Sequence, residues 1–397
     1  MRKILRRSSA LMVAVVAAGV WTSWLAMPAG ADCEVKLGVM GPLSGAAAAW
    51  GSAMRIGAEF AVAEANKAGG VQVGAEKCRV SVTPYDSKYT ADGAAAGANF
   101  LASQGVKFII GPVGSPEATG IKPVAERNGQ ITFNSGYAKN AIEPRFPLAF
   151  HQLSGPSTWA RPVAKAAKEK FGFKSIVVVA PNDQGGTDIA SVDAEAYRAV
   201  GVKASEEYYQ RGTSNFAPIV ARILSSNPDA VDTASSPPAD GATIAKQLRE
   251  AGFDGPIGRL GGPGTPEIIR AVGGIDKLKN FYWLEIVPTD DPGVKSLWED
   301  YKSLMGAPAP DNTLMATSVV ASRMILKAIT KAGTAADVKK VAEALRSLSV
   351  EDRNLGKGEW TGQTFYGINQ EISLPVGMGM IVDGKHLGVR RIDTSGQ

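Results

Sequence analysis

The chain is nearly without histidine. Its 397 residues hold two, His151 and His386, and only two cysteines, Cys33 and Cys78. A histidine-based metal site or a Ser-His-Asp triad needs more than this sequence offers, so no metal and no such nucleophile is expected. No G-x-S-x-G occurs; Gly41-Pro42-Leu43-Ser44-Gly45 spaces its serine wrongly for a nucleophile elbow. No Gly-Lys-Ser/Thr follows a strand-like run, which removes a P-loop. Gly261-Gly262-Pro263-Gly264 lacks the G-x-G-x-x-G spacing and reads as a turn. The expectation is a protein without catalysis or cofactor. Asp183 and Asp240 would matter as a carboxylate pair only if the fold joined them. An exported α/β enzyme is the rival class, and turnover of a bound ligand would establish it.

Long apolar runs are missing beyond the N-terminus. Arg2, Lys3, Arg6 and Arg7 precede an apolar stretch from Leu11 to Val20, and Ala29-Gly30-Ala31 has the small-residue pattern of a cleavage site. Residues 1–31 therefore read as a signal peptide, with the mature chain starting at Asp32. An uncleaved anchor is the alternative, but the run falls short of the ~20 residues a span needs. Lipidation at Cys33 is disfavoured by the charged Asp32 before it. The protein is expected in the periplasm.

An excess of charge is missing too. Four Lys/Arg and no Asp/Glu fall in residues 1–31, which leaves the rest of the chain +1 of the formal +5. A near-neutral chain has no electrostatic case for nucleic acid or anionic lipid. In an oxidising compartment an even pair of cysteines reads as a disulfide. Cys33 precedes the strand-like run 34–40 and Cys78 precedes 79–85, so the two starts lie together if those strands are parallel neighbours. Two free buried thiols are the alternative.

What is present is an alternation of strands and helices. Strand-like runs at 35–40, 80–85, 106–110 and 131–133 are separated by helical spacings. One of these is Met54, Gly57, Ala58, Ala61, Val62 and Ala65, closed by Gly69-Gly70. The rhythm restarts with 175–179, 204–209, 230–233, 257–260 and 281–286. Helices at 292–305, 312–332 and 335–348 and a strand-like tail at 372–390 follow. Two α/β units in a chain too long for one core predict two doubly wound, Rossmann-like lobes. Ligands bind beyond the carboxyl ends of parallel strands. The loops singled out are 41–50, 111–116, 134–139, 181–186, 234–239 and 260–265.

An ordered set of segments carries a resemblance. Val35-Lys36-Leu37-Gly38-Val39-Met40-Gly41-Pro42-Leu43-Ser44-Gly45 is followed by Gly51, Gly57, Ala65-Asn66-Lys67-Ala68-Gly69-Gly70 and Gly111-Pro112-Val113-Gly114-Ser115. Together these resemble the periplasmic binding proteins of ABC transporters for branched-chain amino acids, over nearly the whole mature chain. The resemblance implies a type I periplasmic binding fold joined by a three-segment hinge, with crossings near Gln152, Val287 and Gly367. Lobe 1 would be 32–152 plus 287–367, and lobe 2 would be 153–286 plus 368–397. It also implies a monomer that closes on a small-molecule ligand and docks on an ABC permease in the cytoplasmic membrane. A sensor of the same fold, feeding a receptor, is the alternative; neighbouring genes would separate the two.

The resemblance also implies site residues. Trp50 stands at an aromatic position of the first cleft loop. Ser115, read as an N-cap with Pro116 at N1, stands where the family holds the ligand carboxylate. Gly136, Tyr137 and Ala138 stand where backbone amides and a threonine hydroxyl assist it; Ala138 removes that hydroxyl, and the Tyr137 phenol could compensate. Gly185 and Ser236 replace two cleft tyrosines, which is expected to widen the cleft. Leu260 replaces the glutamate that pairs with a ligand ammonium, and a buried ammonium without a counter-charge costs ~2–5 kcal/mol. The expected ligand is a carboxylic acid without an α-amino group, an aromatic acid among the candidates. An amino acid stays open if Asp183, Asp240 or Glu285 supplies the missing charge.

Overall fold

The computed structural model describes residues 33–394. The proposed signal peptide therefore lies outside the described residues. The first unit runs β1 (Glu34–Gly41), α1 (Ala48–Lys67), β2 (Val71–Val73), β3 (Glu76–Asp86), α2 (Ala91–Ser103), β4 (Phe108–Ile110), α3 (Ser115–Asn128), β5 (Ile131–Asn134) and β6 (Ala149–His151). The second runs α4 (Pro156–Phe171), β7 (Ser175–Pro181), α5 (Gln184–Ala199), β8 (Lys203–Tyr209), α6 (Ala217–Ser225), β9 (Ala230–Asp232), α7 (Pro238–Glu250), β10 (Ile257–Arg259), α8 (Thr265–Val272), α9 (Ile275–Leu278) and β11 (Phe281–Glu285). Then come α10 (Pro292–Met305), α11 (Leu314–Ala332), α12 (Val338–Arg346), β12 (Glu351–Asp352), β13 (Gly356–Lys357), β14 (Glu359–Thr361), α13 (Gln363–Tyr366), β15 (Glu371–Ser373), β16 (Gly377–Val382) and β17 (Lys385–Arg391).

These elements make two large sheets. The first has the order β14-β15-β6-β5-β4-β1-β3-β2, and the second β17-β16-β11-β10-β9-β7-β8. Strands β3, β1, β4, β5 and β6 are parallel, as are β8, β7, β9, β10 and β11. A parallel sheet must bury both faces, and the apolar runs of β4 and β7 do so. Helices α1 and α11 pack together on one side of the first sheet, and α2 and α3 together on the other. The chain has the two-lobed α/β fold expected from its alternating pattern.

Local chemistry explains the element ends. Thr90 caps α2, its Oγ1 accepting from the Gly93 amide at 3.0 Å. Helix α1 closes into Gly69 at φ +91°, a conformation that glycine takes without strain. Cys33 and Cys78 form a disulfide between the starts of β1 and β3, where Glu34 pairs with Arg79.

One boundary differs from expectation. Glu371 of β15 pairs with His151 of β6, so 371–373 still belong to the first sheet. The last passage to the second sheet falls between Ser373 and Gly377, not near Gly367. The glycine at 367 ends α13 in a left-handed cap, which sequence pattern alone does not separate from a hinge.

Candidate functional site

The carboxyl ends of the two parallel sheets face each other, and the loops beyond them meet. A cleft there is lined by residues of both lobes. The first lobe supplies Trp50, Tyr89, Val113, Gly114 and Ser115, together with the 135–137 loop. The second supplies Gly185, Gly186, Arg211, Ser235, Gly262 and Pro263.

The lobes touch across this cleft. Trp50 Nε1 donates to the Pro263 carbonyl at 2.7 Å. Arg211 lies over the Tyr89 ring, 4.3 Å from its centre, within cation–π reach. Gln184 Nε2 donates to Asn140 Oδ1 at 2.7 Å, and the Lys139 amide to Asp188 Oδ2 at 2.9 Å. Thr313 donates to Glu285, and Asn312 Nδ2 to Glu267 Oε1 at 2.9 Å. The structure is a closed form.

The first wall is held by its own hydrogen bonds. Ser115 is the first residue of α3, and the extended Gly114 before it is the N-cap, a correction of one position. Its Oγ does not cap its own helix; it accepts from the Ala138 amide at 2.9 Å. The Gly136 amide donates to Asn134 Oδ1 at 3.1 Å. Gly114 N–H goes to Glu117 Oε2 at 2.6 Å, and Ser87 donates to the other oxygen of that carboxylate. Burial pushes the Glu117 carboxyl up to about 7 against these two bonds. The expectation that the 136 and 138 amides await a ligand is therefore corrected: both are taken. Ser115 keeps its hydroxyl hydrogen, because it only accepts from Ala138.

Tyr137 differs. It packs edge-on to Trp159 at 5.7 Å and is 93% buried, yet no protein group completes a hydrogen bond with its hydroxyl. The Gly262 amide faces that hydroxyl without reaching bonding geometry. Burial holds the phenol proton well above its usual range.

The second wall brings positive charge. Arg211 Nε donates to Asp183 Oδ2 at 2.5 Å. Burial works against its charge, but Tyr89 and Asp183 outweigh that and raise the guanidinium above its usual range. Behind it, Arg259 is fully buried. Its Nη1 donates to the Ser236 carbonyl at 2.7 Å, Nε to Gly262 at 3.1 Å and Nη2 to Pro263 at 3.2 Å. These carbonyls belong to the loops that form the wall, so Arg259 ties 236 to 262–263.

Five of the expected residues line the cleft: Trp50, Ser115, Gly136, Tyr137 and Gly185. Three do not. Ala138 is buried behind the first wall. Ser236 is buried and its neighbour Ser235 lines instead. Leu260 points into the apolar core while its amide donates to Asp232 Oδ1 at 3.1 Å. Nor does Gly185 widen the cleft. A Cβ there would sit 2.6 Å from the Ser115 Cβ and Oγ, so the glycine lets the lobes approach. The acids that could have met an ammonium are engaged elsewhere. Asp183 holds Arg211 and caps α5, Asp240 accepts from Tyr209 at 3.1 Å, and Glu285 accepts from Thr313. No aspartate or glutamate lines the cleft among the described residues.

Tyr89 and Arg211 were not singled out by sequence. They sit in loops of equivalent position, after β3 and after β8, the strand beside β1 in one sheet and beside β7 in the other. Following every strand to its carboxyl end would have found them. Lys88 and Tyr89 both take left-handed backbone (φ 54° and 60°), which presents the tyrosine to the cleft. Such a conformation is uncommon outside glycine and marks functional loops.

The family described as periplasmic binding protein matches residues 34–370. A leucine-, isoleucine-, valine-, threonine- and alanine-binding protein of Pseudomonas aeruginosa is 30% identical over 364 residues, covering 90% of this chain and 94% of that one. Among solved structures, a leucine-binding protein of Thermotoga maritima has a TM-score of 0.77 at 22% identity and covers 90% of this chain and 99% of its own. An ABC-transporter solute-binding protein of R. palustris, in complex with benzoate, has a TM-score of 0.74 at 18% identity and covers 90% and 97%.

Proposed function

The chain belongs to the periplasmic binding proteins, and on that premise we propose that it captures a small carboxylic acid lacking an ammonium group and delivers it to a membrane permease. The observation that carries the ligand class is the charge of the cleft. One arginine lines it, a second lies buried behind it, and among the described residues no acid lines it. An amino acid's ammonium would lose its water and meet no carboxylate, a loss of several kcal/mol. A carboxylate meets the Arg211 guanidinium instead. The aromatic and aliphatic lining, Trp50, Tyr89, Tyr137, Val113, Leu153 and Leu314, suits a flat or branched apolar body. The fold does not choose, since it holds leucine-type and benzoate-type binders alike.

A branched-chain amino acid is the second reading, favoured by the P. aeruginosa relative. Thermal unfolding of the purified protein with matched pairs separates the two, because ligand held by the folded state raises the midpoint by mass action. Benzoate, phenylacetate and 4-methylpentanoate are expected to raise it; phenylalanine and leucine are not. A rise with leucine and none with 4-methylpentanoate would establish the second reading. The permease role is supported by the family and by closure of the two lobes. Transport lost on deletion and restored by the wild-type chain is the expected result.

A further inference from the structure

We propose that the ligand's anion is taken by Arg211 of the second lobe, over the Tyr89 ring, and that the unpartnered Tyr137 hydroxyl reads a second polar group on the same ligand. The inference rests on the carboxylate reading above and adds where the charge sits and what the other end carries.

The argument begins with the first wall. A carboxylate at the start of α3 would need free donors, and the Gly114, Gly136 and Ala138 amides all have acceptors within the protein. The Ser115 O–H and the Ser115 and Tyr137 amides are the donors left there, and none of them carries a charge. Gly185 also presses on Ser115 from the opposite lobe. Arg211 is the only cation among the cleft-lining residues described. Asp183 holds its Nε and so orients the guanidinium, whose Nη groups would take a planar carboxylate. Tyr89 supports it from below at 4.3 Å. Because Arg211 and Tyr89 come from different lobes, an anion there rewards closure.

The second polar group follows from Tyr137. Its hydroxyl is buried and lacks a partner, which costs about 1–3 kcal/mol unless something bonds it. It belongs to the cleft lining. Trp50 is near both groups: its ring is 6.1 Å from Tyr89, which Arg211 covers, and a Cβ at Gly262, whose amide faces Tyr137, would meet it at 3.3 Å. A ligand spanning Arg211 to Tyr137 thus lies along Trp50, with its acid at one end and a hydroxyl or carbonyl at the other. An aromatic hydroxy acid has that shape and chemistry.

Calorimetric titration tests this with benzoate, 4-hydroxybenzoate, benzamide and leucine on the wild type, Arg211→Gln, Arg211→Lys, Ser115→Ala and Tyr137→Phe. Circular dichroism confirms the fold of each variant. Wild type is expected to prefer benzoate over benzamide by about 10- to 100-fold. Arg211→Gln should erase that preference, and Arg211→Lys, which keeps the charge and loses the planar fork, should retain only part of it. Tyr137→Phe should weaken 4-hydroxybenzoate about tenfold and leave benzoate within twofold. Arg211→Gln binding benzoate as wild type does, with Ser115→Ala losing it, would return the anion to α3 and overturn the assignment. Equal effects of Tyr137→Phe on the two acids would overturn the second half. Leucine binding in preference to every aromatic acid would sink the carboxylate reading itself. The Arg211→Gln comparison on leucine then still judges the anchor. A protein that binds none of the four overturns both.

Discussion

The two walls of the cleft are built on the same plan and finished differently. In each, loops leave the carboxyl ends of a parallel sheet and meet a helix start. In the first lobe three loop amides are bonded at home: Gly114 to Glu117, Gly136 to Asn134 and Ala138 to Ser115. That wall is a preformed shelf carrying aromatic rings. In the second lobe the loops turn their carbonyls inward onto Arg259 and present Arg211 to the cleft. Shape is thus set by one lobe and charge by the other, and a ligand satisfies both only when the lobes close.

Removing the buried cation should break the contrast most. Arg259→Met leaves the Ser236 and Gly262 carbonyls without a donor, leaves Pro263 with Trp50 alone, and removes a positive charge near Asp232 and Glu285. A loss of about 3–5 kcal/mol is expected, together with ligand binding; urea unfolding reads the first and titration the second. If stability held, Arg259 would not be what organises the second wall.

The disulfide sharpens the contrast from the other side, since it lies in the first lobe alone. It closes residues 45 apart in sequence, and its removal in a Cys33→Ala/Cys78→Ala double variant should cost roughly 4 kcal/mol by chain entropy. Proteolysis under native conditions should then cut the first lobe before the second. Equal cutting of both would mean that the lobes unfold as one unit.

The pH response should also differ. Burial raises the carboxyl pKa of Asp193, Asp232, Asp240 and Glu285 in the second lobe, and of Glu117 in the first. Glu285 is pushed up to about 7, against 4.5 when exposed. The folded chain therefore keeps a proton that the unfolded chain releases, and stability from this group is full below about 4.5 and lost as pH rises to 7. The loss is roughly 3 kcal/mol. Glu285→Gln should flatten the fall in melting midpoint between pH 5 and 7.5. An unchanged slope would place the titration elsewhere.

The smallest effect tests the contact between walls. A Cβ at Gly185 meets Ser115 across the cleft. Gly185→Ala should obstruct closure by about 1–3 kcal/mol, read as weaker ligand binding with an unchanged melting midpoint of the free protein. A lowered midpoint would mean that the glycine serves the fold of its own helix start.

The fold was legible because its signals are local and repeated. Apolar runs such as 106–110 and 131–133 have the length and pattern of buried parallel strands, and Thr90 and Gly69 mark helix ends by their own chemistry. The site was legible only in part. Trp50, Ser115, Tyr137 and Gly185 stand in loops that the strand pattern points to. Arg211 and Tyr89 stand in loops of the same kind, but an arginine in a polar stretch looks like any surface arginine until its neighbours are known. Leu260 misled because a strand end offers alternate faces, and a shift of one residue moves a side chain from cleft to core. The glutamate substitution inferred there was not a cleft substitution at all, yet the absence of an acid held for another reason. Asp183, Asp240 and Glu285 are each bonded to a protein group.

By itself the sequence determined two α/β lobes and a disulfide between adjacent strand starts. These follow from periodicity, composition and the redox logic of paired cysteines. Only the tertiary structure decided which donors are already taken, which arginine faces the cleft and which hydroxyl is left without a partner. Hydrogen bonds between distant loops join residues such as Ser115 and Ala138, 23 positions apart, or Trp50 and Pro263, 213 apart. No local pattern encodes such pairings, because each depends on where the whole chain brings the two groups.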